Sequence, residues 1–196
     1  MPHTATARRP ARPIRIRRTR VAGLVLVLAA LVAVLAHRPA PPSTGAVALP
    51  SGAVPRNTTV FDDGVAGVDR LDPDLRSALR RAASDAADDG LRLLIDSGWR
   101  SPRYQRRLLD RAVAKYGSRA EARRWVATPQ TSAHVKGDAV DIGPAGAAAW
   151  LAAHGAAYGL CRVYDNEPWH YELRPDAAAQ GCPTTYADPT RDPRMQ

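Results

Sequence analysis

The first 61 residues contain no acidic side chain, and this absence explains most of the charge of the chain. The 196-residue chain has a formal net charge of +9, but eight of its 28 basic residues lie within residues 1–38. The rest carries 20 basic and 19 acidic side chains and is therefore nearly neutral. A nucleic-acid-binding domain needs Lys and Arg clustered on its folded surface. The composition therefore argues against nucleic acid as a partner.

The acid-free start of the chain contains an apolar run, residues 21–36, which follows seven arginines within residues 1–20. As a helix, this run would span about 24 Å, slightly less than the ~30 Å hydrocarbon core of a bilayer. A basic segment before an apolar one is typical of a secretory signal, and its arginines are expected to stay in the cytoplasm. We therefore predict a basic cytoplasmic tail, then an uncleaved signal-anchor in the cell membrane or a cleaved signal peptide. The remainder is predicted to be extracytoplasmic, or secreted if the signal is cleaved.

Residues 37–55 are rich in Pro, Ala, Gly and Ser without a helix or strand period, so we interpret them as an extended linker. The folded domain is predicted over residues 56–196, without internal repeats. Its two cysteines, Cys161 and Cys182, show no Cys-x-x-Cys spacing, which argues against a cysteine-ligated metal. In an oxidising compartment such a pair most simply forms a disulfide.

The domain contains amphipathic helices and short β-rich segments. Helices are predicted over 73–89, 102–116, 118–125 and 144–154. β-segments are predicted over 91–97, as a buried strand, and over 138–142 and 162–173. The first helix has Asp72 as its N-cap and Pro73 in its first turn, and the last β-segment contains Asp165-Asn166 as a hairpin signal. Helices come first and most strands later, which favours an α+β fold with a small, mostly antiparallel sheet and packed helices.

The His-Glu-x-x-His motif of helix-borne zinc sites is also absent, so a metal site would have to be built on strands and loops. The domain has three histidines. We interpret His154, at the end of a predicted helix, as structural, because a cation there interacts favourably with the helix dipole. The other two have acidic neighbours: His134 lies seven residues before Asp141, and His170 lies three residues after Glu167.

A hydrolytic zinc site needs three protein ligands, an open position for water and a carboxylate that accepts the proton of that water. Strand alternation helps to choose the aspartate, because Asp138 and Asp141 in the segment DAVDI point to opposite faces. Asp141 is flanked by apolar residues, and a buried carboxylate is rarely left unpaired, so we favour Asp141 as the ligand. Farther along, Trp169 is expected to enter the core while His170 faces the metal.

Three segments carry a family resemblance: SGWRS at 97–101, the pattern S-x-H-x6-D from Ser132 to Asp141, and E-x-W-H from Glu167 to His170. With these motifs in this order, the domain resembles the VanY-type zinc D-alanyl-D-alanine carboxypeptidases and dipeptidases among the LAS metallopeptidases. The resemblance covers about residues 72–173. The sequence departs from the family pattern at Trp99, where tyrosine is commoner, and at Asp138, where an uncharged residue often lies.

The resemblance implies a LAS/hedgehog-like fold and one Zn²⁺ bound by His134, Asp141 and His170. It also implies that Glu167 is the general base, which activates water and later protonates the leaving amine. Arg100 would stabilise the developing oxyanion or hold the substrate, and Ser132 would contact the substrate near the metal.

The activity that the resemblance implies is hydrolysis of the terminal D-Ala-D-Ala bond of peptidoglycan stem peptides. Two alternatives remain open. One is a related endopeptidase that cuts another stem-peptide bond, such as L-Ala-D-Glu. The other is a peptidoglycan-binding module without catalytic activity, against which the retention of Glu167 argues.

Overall fold

The computed structural model describes residues 51–195. The predictions for the basic tail, the apolar segment at 21–36 and most of the linker therefore lie outside the described residues. Among the helices that the structure does describe, none combines the length and the apolar character needed to cross a bilayer.

The described residues form an α+β domain, as predicted. The helices are α1 (Ala66–Asp69), α2 (Pro73–Asp88), α3 (Pro102–Tyr116), α4 (Arg119–Arg123), α5 (Ala133–Lys136), α6 (Ala145–His154) and α7 (Ala177–Gln180). The strands are β1 (Leu94–Ser97), β2 (Ala139–Gly143), β3 (Leu160–Arg162) and β4 (His170–Leu173). Short 3₁₀ turns lie at Gly155–Tyr158, Pro189–Arg191 and Pro193–Met195.

The four strands form one sheet in the order β1-β2-β4-β3, and every pairing is antiparallel. In the central pair, Val140 lies opposite Tyr171, and Asp141 lies opposite His170. Paired residues point to the same face, and successive residues point to opposite faces. One face of the sheet is therefore apolar, and the other carries the acids and the histidine.

Helix α2 covers the apolar face. Its first turn is fixed by Asp72, whose side chain accepts hydrogen bonds from the backbone N–H groups of Asp74 and Leu75. Its apolar stripe has the predicted spacing and is fully buried. The buried residues of this stripe are Leu75, Ala78, Leu79, Ala82 and Ala86.

Strand β1 is shorter and more exposed than the sequence predicts. Residues 91–93 were expected in the strand, but the N–H of Leu91 donates to the carbonyl of Ala86 and closes the end of α2. The strand begins at Leu94 and forms an edge of the sheet, with Asp96 exposed. The prediction of a buried strand was therefore wrong for this segment.

The segment 162–173 also differs from the tight hairpin that Asp165-Asn166 predicts. Strand β3 ends at Arg162 and β4 begins at His170, so seven residues connect them. This loop is held by Tyr186, whose N–H donates to the carbonyl of Val163 and whose carbonyl accepts from Asp165, both at 2.9 Å. The partner lies 20 or more residues away, so a local turn signal could not reveal it.

Residues 51–55 pack against the domain, although the sequence assigns them to the linker. The N–H of Ser101 donates to the carbonyl of Ser51 at 3.0 Å, and Val54 packs against the main hydrophobic core. The packed region therefore includes residues before the predicted boundary at Arg56.

The predicted disulfide between Cys161 and Cys182 is confirmed. It joins β3 to the segment that follows α7. Residues 183–195, here called the C-terminal strap, continue from Cys182 and return to the polar face of the sheet.

Candidate metal centre

Three structural elements bring the predicted ligands together. Asp141 on β2 and His170 on β4 are paired residues of neighbouring strands. His134 lies on the one-turn helix α5, not on a strand or loop as the sequence suggested. Gly137 ends this helix with φ +91°, and a side chain there would collide with the carbonyl of Arg70. This turn directs the chain from His134 into β2.

The ligand atoms form a compact cluster. One candidate ligand atom from each of His134, Asp141 and His170 lies within 4.8 Å of the others. Nε2 of His134 lies 3.2 Å from Nδ1 of His170, and Oδ1 of Asp141 lies 3.3 Å and 3.2 Å from these two nitrogens. The three side chains are buried, so their charges and lone pairs have little water to interact with.

Hydrogen bonds on the outer side of each imidazole orient its inner nitrogen. Nδ1 of His134 lies 2.9 Å from the carbonyl of Gly98, which can only accept, so Nδ1 carries the proton and Nε2 presents a lone pair. Nε2 of His170 lies 3.4 Å from Oε1 of Glu172, which leaves Nδ1 directed into the cluster. Such outer partners are typical of metal-binding histidines.

The SGWRS segment also supports His134 through its backbone. The N–H of Arg100 donates to the carbonyl of His134 at 3.0 Å, while the Gly98 carbonyl binds the imidazole of the same residue. A side chain at Gly98 would collide with the carbonyl of Gly67, so only glycine permits this close approach.

The donor set fits Zn²⁺. Two neutral imidazole nitrogens and one carboxylate oxygen are ligands that catalytic zinc sites use, and three ligands leave a fourth position open. Burial and the nearby Arg100 cation lower the pKa of His134, which keeps this imidazole neutral as metal binding requires. Burial alone would raise the pKa of Asp141, but His134, His170 and Arg100 together hold it well below its usual range. The carboxylate is therefore ionised and ready to bind a cation.

Glu167 lies beside this cluster without taking part in it. Its Oε2 is 3.8 Å from Nδ1 of His170, and its Oε1 is buried without a hydrogen-bond partner among the described residues. Burial raises the pKa of Glu167 to about 7, outweighing the opposing effect of His170. A carboxylate with such a pKa can both accept and release a proton near neutral pH.

Arg100 is bound to the cluster through Asp141. Its Nη2 donates to Oδ2 of Asp141 at 2.6 Å, while Nε donates to Oγ of Ser97 at 2.7 Å and Nη1 to Oε1 of Gln105 at 3.2 Å. Three of its five N–H groups are thus engaged, and two remain. Gln105 was not predicted as a site residue, because a buried glutamine on a helix has no distinguishing sequence signal.

The remaining predicted residues divide into two groups. Ser132 is buried and lines the cleft above the ligands, together with Arg100 and Glu167. Asp138 lies outside the cluster and borders a separate depression with Asp72 and Glu172, which agrees with the choice of Asp141.

The prediction that Trp169 enters the core was wrong: its side chain is 41% exposed and lines the cleft. The backbone carbonyl of Trp169 accepts from the N–H of Ile142, so the residue extends the β2–β4 pairing at the edge of the apolar core. The ring therefore projects beyond the sheet, where the cleft is open.

Sequence reasoning also missed residues of the cleft that come from distant segments. Tyr164 lies with its ring 5.1 Å from the ring of His170, and Pro189 and Met195 of the C-terminal strap line the same cleft. No motif marks these residues, because they are brought to the site only by tertiary packing.

Sequence comparisons point to one family. The sequence model of the VanY family, described as D-alanyl-D-alanine carboxypeptidase, matches residues 68–176, more than half of the chain. A D-alanyl-D-alanine carboxypeptidase of Enterococcus faecalis (strain ATCC 700802 / V583) is 30% identical over 143 residues. The match covers 60% of this chain and 53% of that protein, so the chain spans about half the length of this relative.

Solved structures show the same fold. VanYB in complex with D-alanine-D-alanine is 29% identical with a TM-score of 0.54, covering 65% of this chain and 84% of that chain. A mutant of the vancomycin-resistance D,D-pentapeptidase VanY, in complex with Zn(II), is 30% identical with a TM-score of 0.50, covering 53% and 72%. The zinc of that structure agrees with the donor set of this one. This chain belongs to the VanY family of D-alanyl-D-alanine carboxypeptidases, a family of zinc metallopeptidases.

Proposed function

We propose that this protein is an exported zinc D,D-carboxypeptidase, which hydrolyses the terminal D-Ala-D-Ala bond of peptidoglycan stem peptides. The observation that carries the proposal is a buried His-Asp-His cluster at the same cleft as the buried carboxylate of Glu167, whose Oε1 has no hydrogen-bond partner among the described residues. The relative VanYB, solved in complex with D-alanine-D-alanine, supports the choice of substrate.

In the proposed site, His134, Asp141 and His170 hold the zinc ion. The chemistry that zinc supplies in such sites is a lowered pKa for water and polarisation of a carbonyl group. Glu167 would accept the proton of the attacking water and return it to the nitrogen of the leaving D-alanine. Its pKa of about 7 suits both steps, because neither the protonated nor the ionised form is strongly disfavoured near neutral pH.

Arg100 has two parts in this proposal. Its bond to Asp141 holds the ligand carboxylate in place, and its side chain also lines the cleft. A guanidinium is always charged and planar, so it suits an oxyanion or a terminal carboxylate. Ser132 lies in the same cleft and is proposed to contact the substrate beside the metal.

Export of the domain is supported by two independent features. The arginine-rich and apolar segments at the N-terminus are typical of a secretory signal. The disulfide between Cys161 and Cys182 is a feature of oxidising compartments. Peptidoglycan lies outside the membrane, so an exported domain on a Pro-rich linker would reach its substrate there.

Defined peptides test the activity. The purified protein would be incubated with a stem pentapeptide that ends in D-Ala-D-Ala and, as a control, with the tetrapeptide that lacks the last D-alanine. We expect release of one D-alanine from the pentapeptide, loss of this activity with a chelator and its recovery with zinc. Products cut at an internal bond would instead indicate an endopeptidase. Binding without any product would indicate a binding module.

A further inference from the structure

The C-terminal strap lies outside the segment 68–176 that matches the VanY family, yet it reaches the metal centre. The disulfide at Cys182 fixes its start to β3. Asp188 accepts a hydrogen bond from Nε of Arg124 at 3.1 Å, and Arg123 donates to the carbonyl of Met195 at 3.3 Å. The strap is therefore held at its start, its middle and its end.

Near the end of the strap, Arg194 binds Glu172 through both terminal nitrogens. Nη1 lies 2.6 Å from Oε2, and Nη2 lies 3.4 Å from Oε1. The same Oε1 lies 3.4 Å from Nε2 of His170. Glu172 is 2% exposed, so its carboxylate interacts almost entirely with these groups and with Arg174.

We propose that Arg194 is a positioning residue of the metal centre, which orients the carboxylate of Glu172 so that it binds Nε2 of His170 and directs Nδ1 towards the metal. This inference rests on the zinc site proposed above and adds a part of the chain that the family match does not include. A guanidinium that spans both oxygens fixes the plane of a carboxylate, which a single contact does not.

Arg174 does not provide the same constraint. Its closest contact with Glu172 is between Nη1 and Oε2, at 2.9 Å, and this contact lacks hydrogen-bond geometry; Nη1 donates instead to the carbonyl of Leu173 at 3.2 Å. Among the described residues, Arg194 is the only arginine that donates hydrogen bonds to both oxygens of Glu172. The orientation of the carboxylate thus depends on the strap.

Asp192 holds Arg194 in this position and forms a second path to His170. It is fully buried, accepts from the backbone N–H and Nε of Arg194 at 2.9 Å and 3.0 Å, and also contacts Nη2. Its Oδ2 accepts from the hydroxyl of Tyr164 at 3.0 Å, and the Tyr164 ring packs 5.1 Å from the ring of His170. The strap is therefore linked to His170 through two residues, Glu172 and Tyr164.

A double-mutant cycle tests whether Arg194 acts through Glu172. Zinc affinity would be measured by competition with a chelator for the wild type, Arg194→Gln, Glu172→Gln and the double variant. Arg191→Gln is the matched control, because Arg191 is an exposed arginine of the same strap. Absorption spectra of the Co(II)-substituted proteins report the ligand geometry, and thermal unfolding of the metal-free proteins reports the fold.

We expect each single substitution to weaken zinc binding roughly 10–100-fold and to change the Co(II) spectrum, as loss of a metal-orienting partner does. The double variant should bind no more weakly than the weaker single variant, because both act on one interaction. Arg191→Gln should match the wild type. Wild-type zinc affinity and an unchanged Co(II) spectrum in Arg194→Gln would overturn the inference, as would strictly additive effects.

Arg194→Lys decides the matter if Arg194→Gln does not fold. A lysine keeps the positive charge beside the buried Glu172 but cannot span both carboxylate oxygens, so we expect a folded protein with zinc binding about tenfold weaker. Wild-type zinc affinity in this variant would show that contact with both oxygens of Glu172 is not needed. All these readouts are independent of hydrolysis, so a zinc-binding protein that fails to cleave D-Ala-D-Ala would refute the proposed function alone. A wild type that binds no zinc would overturn both.

Discussion

The two faces of the central sheet are equally buried but are stabilised in different ways. On one face, Val140, Ile142 and Tyr171 are each at most 1% exposed and pack against the helices. On the other face, Asp141 and His170 are 8% and 4% exposed and carry charge or lone pairs. The apolar face is stabilised by burial itself. The polar face must offset the cost of desolvation with a partner for every group.

The comparison shows how few residues separate a core from a catalytic site. Asp141 and Ile142 are neighbours on β2, yet alternation directs one to the ligand cluster and the other into the core. A one-residue shift of register would exchange these faces. The pairing of Asp141 with His170 is therefore both a fold property and a site property.

Substitution of a ligand on the polar face should abolish metal binding. Asp141→Ala removes one of three ligands, and three ligands leave little redundancy, so we expect zinc content to fall from about one per chain to near zero and activity to be lost. Metal analysis after exhaustive dialysis measures this. Asp138→Ala is the matched control and should retain zinc. Loss of zinc in the control, with retention in Asp141→Ala, would reverse our choice of aspartate.

Glu167→Gln should separate catalysis from metal binding on this same face. The amide keeps the shape of the side chain but cannot accept a proton, so we expect activity to fall about 10²–10⁴-fold while zinc content and fold are retained. Steady-state rates with the pentapeptide and metal analysis on the same sample test this. A variant that loses its zinc would make Glu167 a ligand, and near-normal rates would remove it from the mechanism.

A substitution on the apolar face should lower the stability of the fold and leave zinc binding nearly unchanged. Ile142→Ala deletes buried methyl and methylene groups next to the ligand Asp141, and we expect the free energy of unfolding to fall by about 2–5 kcal/mol. Zinc affinity of the folded protein should change little, because the side chain points away from the cluster. Denaturant unfolding and chelator competition measure the two effects. If zinc affinity fell as much as the free energy of unfolding, the two faces would be coupled through β2.

The disulfide lies at the edge of the polar face, and its removal tests how much that face depends on the strap. Cys161 is the residue opposite Glu172 in the β3–β4 pairing, and the bridge closes a loop with a sequence separation of 21. We expect the Cys161→Ser/Cys182→Ser variant to lose about 3 kcal/mol of stability. Equilibrium unfolding of the oxidised wild type and this variant gives the difference. An unchanged midpoint would show that the strap is held by its other contacts.

The sequence predicted those parts of the site whose geometry follows from local rules. In DAVDI, strand alternation placed Asp138 and Asp141 on opposite faces, and the apolar neighbours of Asp141 favoured it as the ligand. The N-cap Asp72 located the start of α2. The SGWRS segment was recognised as a family motif before the structure showed its backbone contacts to His134. In each case the sequence pattern that decided the prediction lies within one element or one motif.

The parts that were missed depend on contacts between distant segments. The strap has no helix or strand period that would assign it to the site, and Arg194 reaches Glu172 across 22 residues of sequence. Trp169 was placed in the core because alternation was applied to the residue before the start of β4, where the side chain is not covered by the core. Local patterns thus predicted the metal ligands better than the groups that orient these ligands.

The protonation of His170 gives the smallest effect that we expect, a gradual dependence of zinc affinity on pH. Burial alone would lower the pKa of His170, but hydrogen bonds to Asp141 and Glu172, together with the nearby carboxylates, raise it to about 9 in the metal-free protein. Because this pKa is raised, the protonated form stabilises the metal-free fold below the unfolded value of about 6.5, and this contribution is lost as pH rises towards 9.

Zinc binds the neutral imidazole, so it must displace this proton at any pH below about 9. We expect zinc affinity, measured by competition with a chelator whose own protonation is corrected for, to rise by up to about tenfold per pH unit between pH 7 and 9 and then to level off. Glu172→Gln removes one carboxylate that stabilises the imidazolium of His170. The zinc affinity of this variant should therefore level off at a lower pH. An affinity that does not change between pH 7 and 9 would mean that His170 is already neutral at pH 7. In that case hydrogen bonds would stabilise the polar face without a buried imidazolium at His170.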